Sequence, residues 1–347
     1  MEWLYLHMPI SGVDIFWPGL VILGLGVGIL GGFYGMGGAW MITPGLNILG
    51  FPMAFAIGTD IAHIAGKSIV STMRHARFGN VDYKLGVAMI LGTIAGFEVG
   101  AQMIMWFERI GKVDLYVRII YLLILAFIAY LVYLDFKKLK SKKEVGSAKV
   151  DKLEAGITWY KTLHKIKIPP VMHFKEAMIT CSVWLPLGVG FFTGWIAGIL
   201  GIGGGLIRMP ALIYFVGCPT HVAVGTDLFE VMISGLYGAF TYTWKGRTEL
   251  IGALVMLLGA SLGAQFGAVA TKYFKGMQIR ILFASAVACA AISILLKLIA
   301  RIYHIVVLDH ASSVVILGGV FVIMMVILIK TIAGMRQEVR MKKQQLT

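Results

Sequence analysis

Two stretches of this 347-residue chain say nearly the same thing. The first, GILGGFYGMGGAWMITPGLNILGFPMAFAIGTD, ends at Asp60, and the second, GWIAGILGIGGGLIRMPALIYFVGCPTHVAVGTD, ends at Asp227. Allowing one extra residue in the second, Gly28, Gly32, Gly35, Gly37, Gly38 and Pro44 fall on Gly194, Gly198, Gly201, Gly203, Gly204 and Pro210. Gly50, Pro52, Gly58, Thr59 and Asp60 then fall on Gly217, Pro219, Gly225, Thr226 and Asp227. A hydrophobic segment broken by Gly and Pro at matching places in both halves points to a binding site at the middle of a membrane, between two internal repeats.

The composition agrees. The chain is 59% hydrophobic and 14% charged, against roughly 25% charged in soluble domains. Several segments reach the length of about 20 apolar residues that a bilayer requires. The expected fold is an all-α polytopic membrane protein with roughly 8–11 hydrophobic segments. The net charge of +14 then reads as cytoplasmic loops facing anionic lipid, not as a nucleic-acid surface. Cys181, Cys218 and Cys289 are scattered in apolar sequence without a CxxC pair, so neither a disulfide framework nor a metal site is expected. The first residues lack the basic region of a signal peptide.

Apolar segments lie near 13–33, 39–50, 53–73, 85–107 and 115–135, and again near 176–200, 205–216, 220–243, 250–272, 279–300 and 312–334. The segments at 39–50 and 205–216 are too short to cross as straight helices, and each follows a glycine cluster. They read as halves of broken or re-entrant helices. The chain therefore divides into a first repeat at 1–135, a basic linker at 136–176, a second repeat with one final helix at 177–334, and a basic tail at 335–347. Lysines crowd the linker and the tail, whereas no Lys or Arg precedes Lys67. The positive-inside rule places linker and tail in the cytoplasm and the N-terminus outside. That arrangement needs two halves of opposite orientation, the inverted-repeat plan.

The chemistry concentrates in the repeats. Backbone amides of the clusters Gly35, Gly37, Gly38 and Gly201, Gly203, Gly204, Gly205 are candidates to bind an anion where helices break. The clusters lack the GK[ST] ending of a phosphate loop. Arg208, three residues after Gly205, is a candidate to complete the pocket, with a snorkelling Arg as the alternative. Thr59 and Thr226 join the substrate-binding candidates.

Acids inside apolar sequence are functional candidates by default. Asp60, His63 and Lys67 share one helical face with Arg74, and Asp227 and Glu230 stand at the matching positions of the second half. These five, Asp60, His63, Lys67, Asp227 and Glu230, are candidates for proton coupling or gating. The alternatives are helix capping by the two Asp and a structural Asp60–Lys67 pair. Glu98, opposite Gln265, is a candidate buried partner for one of the cations. Trp3, Tyr5, Trp106, Tyr242 and Trp244 read as interfacial aromatics.

The duplicated unit of glycine loop, short segment, Pro and GTD triplet resembles the TauE/SafE family of sulfite and organosulfonate exporters, over about Gly19 to Lys272. Here the family-like motifs read GMGG, Pro44 and AIGTD, then GIGGG, Pro210 and AVGTD, with Asp where the family triplet has Ser. The resemblance implies a permease for small anions such as sulfite or sulfoacetate, coupled to an ion gradient, with the repeated loops at the site. The expected function is thus a secondary transporter of a small sulfur-containing or carboxylate anion with protons as coupling ion, needing no cofactor and no metal. The rival readings are a passive anion channel and a membrane enzyme acting on a lipid-linked substrate. Such an enzyme usually shows acid pairs with metal-ligand spacing, DxxD or HxxxD, in an interfacial loop outside the apolar core, and the sequence has none there.

Overall fold

The structure, a computed structural model, describes residues 4–35, 42–43, 45–46, 49–111, 113–144, 159–165, 168–200, 204–303 and 305–345. Gly37, Gly38, Gly201, Gly203, Pro44, Trp3 and residues 145–158 and 166–167 of the linker lie outside them. The chain opens with a hairpin, β1 (Tyr5–Met8) paired antiparallel with β2 (Val13–Phe16), followed by helix α1 (Trp17–Tyr34). Helices α2 (Met53–Arg77), α3 (Tyr83–Arg109) and α4 (Val113–Glu144) complete the first half. A short helix α5 (Trp159–Leu163) leads to a second hairpin, β3 (Val171–Phe174) with β4 (Ile179–Ser182). Then come α6 (Trp184–Leu200), α7 (Gly205–Ala211) running into a π-helical stretch (Leu212–Val216), α8 (Thr220–Trp244) and α9 (Leu250–Ala270). Two long helices, α10 (Gly276–Tyr303) and α11 (Val306–Gln345), end the chain.

The segments near 13–33 and 176–200 are therefore not helical throughout. Residues 13–16 and 179–182 are strands, and the helices begin at Trp17 and Trp184. Alternation explains the first case: Ile15 is buried while Asp14 and Phe16 face out, and Gly12 turns the chain at φ 69°. The two hairpins occupy corresponding places in the two halves.

Small residues decide how the helices meet. A Cβ on Gly24, Gly28 or Gly32 of α1 would lie 2.1, 2.4 or 2.3 Å from the carbonyl oxygens of Met256, Ala260 and Ala264 on α9. Their counterparts Gly190, Gly194 and Gly198 of α6 approach the carbonyls of Met89, Thr93 and Phe97 on α3 in the same order, at 2.2, 2.3 and 2.4 Å. Such distances leave no room for any side chain, so the glycine rows are packing surfaces. Residue numbers rise together along both contacts, so α1 runs parallel to α9 and α6 parallel to α3.

The remaining central pair, α2 and α8, runs the other way. Gly238 sits against Ile61 and Gly235 against Ala65, so numbers rise on one helix as they fall on the other. Helices that correspond between the repeats are thus antiparallel, and each repeat packs its first helix on the other's fourth segment. This is an inverted pair related by a two-fold axis in the membrane plane, as the sequence implies.

The inside-out pattern of a membrane protein is plain. Leu254, Leu258 and Leu262 on α9 and Val314, Phe321 and Ile329 on α11 are exposed, while Asp60, His63, Lys67, Arg208, Asp227 and Glu230 are wholly buried. Among the described residues, six helices are long and apolar enough to cross a bilayer. Of the aromatics, Tyr5, Trp106 and Trp244 are exposed, but Tyr242 is buried and its hydroxyl donates to the Gly198 carbonyl, 3.2 Å. Tyr242 is a packing residue and not part of an interfacial belt.

Following the helix directions through the turns makes α4 and α11 parallel. Their lysine-rich C-terminal ends therefore emerge on the same face.

Candidate functional site

The break in the second half follows from its residues. Helix α6 stops at Leu200, and α7 starts after Gly204, which takes φ 75°. Pro210 inside α7 has no N–H to donate, and the helix widens into π turns before Gly217 at φ 84° ends it. In the first half α1 stops at Tyr34, with Gly35 at φ 80° donating its N–H back to the Gly31 carbonyl. Gly35 and Gly204 thus each stand in the left-handed region at a helix boundary.

Gly204 also has a direct structural task. A Cβ there would lie 2.6 Å from the Arg208 guanidinium, so only glycine admits this arginine. Arg208 is fully buried and is not snorkelling. It donates to Asp227 at 3.0 Å and to Thr193 at 3.3 Å, and it pairs with Glu230. Glu230 also accepts from the Ser234 hydroxyl at 3.3 Å. One cation thus faces two carboxylates, a closed cluster assembled from α6, α7 and α8. Arg208 is in this state committed to the protein's own acids.

The first half is built differently. Asp60 is the counterpart of Asp227, and one of its oxygens accepts from the Thr43 hydroxyl at 2.8 Å. Glu230 is replaced by His63, Ser234 by Lys67 and Arg208 by the buried Ile42. The Lys67 ammonium, both ring nitrogens of His63, the second oxygen of Asp60 and the hydroxyls of Ser68, Ser71 and Tyr121 are buried with no hydrogen-bond partner among the described residues. Helices α2 and α8 begin at Met53 and Thr220, so both Asp residues lie in the third turn and neither is the N-cap of its own helix. Asp60 and Lys67 make no hydrogen bond to each other, but they lie on one face of α2 and within electrostatic reach of one another.

Thr59 and Thr226 point elsewhere. Each hydroxyl oxygen accepts the backbone N–H of the acid that precedes a helix of the other half, Glu249 and Asp82, both at 3.0 Å. The same two acids hold the hairpins. Glu249 accepts from the N–H groups of Ile10 and Ser11 at 3.0 and 3.1 Å, and Asp82 accepts from that of Ala177 at 3.2 Å. These contacts were not foreseen, although the Asp82–Glu249 correspondence is visible in the repeat. Arg74 leaves the Asp60 face and donates to Gln265 at 3.3 Å. Glu98 partners no buried cation; it accepts from Tyr237 at 3.1 Å and from Gln102 at 3.3 Å. In the second hairpin, outside the membrane-spanning helices, burial pushes the Cys181 thiol up to about 11, which leaves it protonated and unreactive.

A polytopic protein whose two antiparallel copies each break a helix beside buried charges has the architecture of an inverted-repeat membrane transporter. The chain belongs to the sulfite exporter TauE/SafE family, whose model matches residues 20–294. It is similar to a "probable membrane transporter protein", YunE, of Bacillus subtilis, 26% identical over 73% of this chain and 88% of the relative. A protein of the same description from Methanocaldococcus jannaschii is 26% identical over 77% and 91%. Another from Bacillus subtilis, YjnA, is 22% identical over 80% and 98%. No solved structure matches the chain significantly. The protein is an integral membrane transporter and not an enzyme.

Proposed function

We propose that this transporter moves a small anion, a sulfur oxoanion or organosulfonate such as sulfite or sulfoacetate, or a small carboxylate, in exchange with or alongside protons. The observation that carries the reading is the pair of wholly buried charge clusters on α2 and α8. Buried ionisable groups in a span are costly and are retained for transport, not stability. Asp60, His63, Asp227 and Glu230 are the groups available to take up and release protons. Gly35 and Gly204, both in the left-handed region, turn the chain at the end of α1 and the start of α7, and Thr59 and Thr226 hold each helix to the opposite half.

Rocking of one inverted copy against the other then exposes the clusters to each side in turn. The lysine-rich ends of α4 and α11 face the cytoplasm. The family name supports sulfite chemistry, and the Asp in both triplets supports proton coupling. The test is flux of labelled sulfite, sulfoacetate and acetate into proteoliposomes, with and without a pH gradient. Saturable, gradient-driven uptake is expected. Flux that is indifferent to pH and does not saturate would instead favour a channel.

A further inference from the structure

We propose that the two matched centres are not equivalent: the first half holds the solute's anionic group between Lys67 and His63, and the second half carries a permanent internal copy of that bound state, with the Glu230 carboxylate in the solute's place. The proposal rests on the reading of the chain as an anion transporter and names the site and the charge of the group it takes.

The comparison of the halves carries it. In the second half a carboxylate, that of Glu230, is held by a cation, Arg208, and by the hydroxyl of Ser234. In the first half the position of Glu230 is His63, so the carboxylate is missing, and the position of Ser234 is Lys67, so the cation has moved onto the helix itself. The Arg208 position is Ile42, which brings no charge. What remains is a set of buried donors with nothing to donate to. Lys67, His63, Ser68, Ser71 and Tyr121 all end in polar atoms that lack a partner among the described residues, and Tyr121 lies within electrostatic reach of Asp60. A buried ammonium with no hydrogen bond is expensive to keep. Asp60 is within electrostatic reach of it but accepts from Thr43 and makes no hydrogen bond to Lys67. A solute that brings one oxoanion group completes the first half as Glu230 completes the second.

The same comparison fixes the charge. One cation stands in the centre, and the Asp60 carboxylate stands two turns from it, so a single negative charge is matched and a second is repelled. The class is a singly charged oxoanion group: sulfonate, hydrogen sulfite or carboxylate. Tetrahedral dianions are excluded.

The experiment uses the full chain purified in detergent, with methanesulfonate, sulfite and acetate as probes and sulfate as the dianion comparator. Thermal unfolding is followed against concentration. The wild type gains a saturable rise in midpoint with at least one of the three and none with sulfate. Lys67→Met unfolds at an equal or higher temperature without probe, because an unpaired buried charge has gone, and its probe affinity falls roughly tenfold or more, the equivalent of a charge-assisted hydrogen bond. Lys67→Arg keeps the response. His63→Leu weakens it and provides the test if Lys67→Met does not fold. A wild type indifferent to all three probes overturns the proposal, as does sulfate binding equal to theirs, or wild-type affinity in Lys67→Met or His63→Leu. Lys67-dependent binding without flux in proteoliposomes removes the transport reading and keeps the site. Flux undiminished in Lys67→Met removes the site and keeps transport.

Discussion

Arg208 is where the chain commits most at a single residue. Its guanidinium is paired with two carboxylates that have no access to water. Breaking a buried ion cluster by removing one partner costs about 3–5 kcal/mol, because the others stay charged and unpaired. Arg208→Met is therefore expected to lower the unfolding midpoint in detergent strongly, the opposite of Lys67→Met. Arg208→Lys should recover only part, since a lysine cannot make the forked contact. Met178 offers a test of the opposite sign. It is the positive-φ non-glycine among the described residues, at 53°, and stands where the first hairpin has Gly12. A left-handed non-glycine residue costs about 1–2 kcal/mol, and glycine returns roughly 0.5–1 of that as chain entropy. Met178→Gly should stabilise the protein by about 0.5–1 kcal/mol, measured by chemical unfolding.

Elements meet through backbone more than through side chains. Along α1–α9 and α6–α3 the nearest atom to each missing Cβ is a carbonyl oxygen, which cannot rotate away. Gly28→Ala or Gly194→Ala must push two helices apart, at about 1–3 kcal/mol each. The expected result is a lower midpoint for either variant and a larger loss for the pair. This layer was legible in the sequence: a four-residue glycine period has few other uses in a lipid-soluble helix, and glycines recurring at one offset mark corresponding contacts. The hairpins were not legible. Their strands are four residues long, and HMPISGVDIF runs into the helix that follows without losing apolar character. Nor were the partners of Arg208 legible, because they lie 19 and 22 residues away across a π-helical bend whose direction no local pattern sets. The acids themselves stood out, as charges in apolar sequence; which of them were paired and which were open depended on Ile42 facing Arg208 across the repeat.

At the scale of the whole molecule, two inverted copies share one design and differ in charge. Symmetry places the two breaks, the two Asp and the two hairpin anchors, Asp82 and Glu249, at matching depths from opposite faces. The departures from symmetry, His63 for Glu230 and Lys67 for Ser234, leave the second centre with an arginine paired to two acids and the first with a lysine and a histidine that have no hydrogen-bond partner among the described residues. Inverted topology has a direct consequence. The hairpin turns at Ile10 and Glu176 must lie on opposite sides of the membrane, with Ile10 outside if the lysine-rich ends face the cytoplasm. The decisive measurement is labelling of Ile10→Cys and Glu176→Cys, in a background without the three native cysteines, by a membrane-impermeant maleimide on intact cells. The account predicts that position 10 reacts at once and position 176 only after permeabilisation; reaction of both from the same side would contradict it.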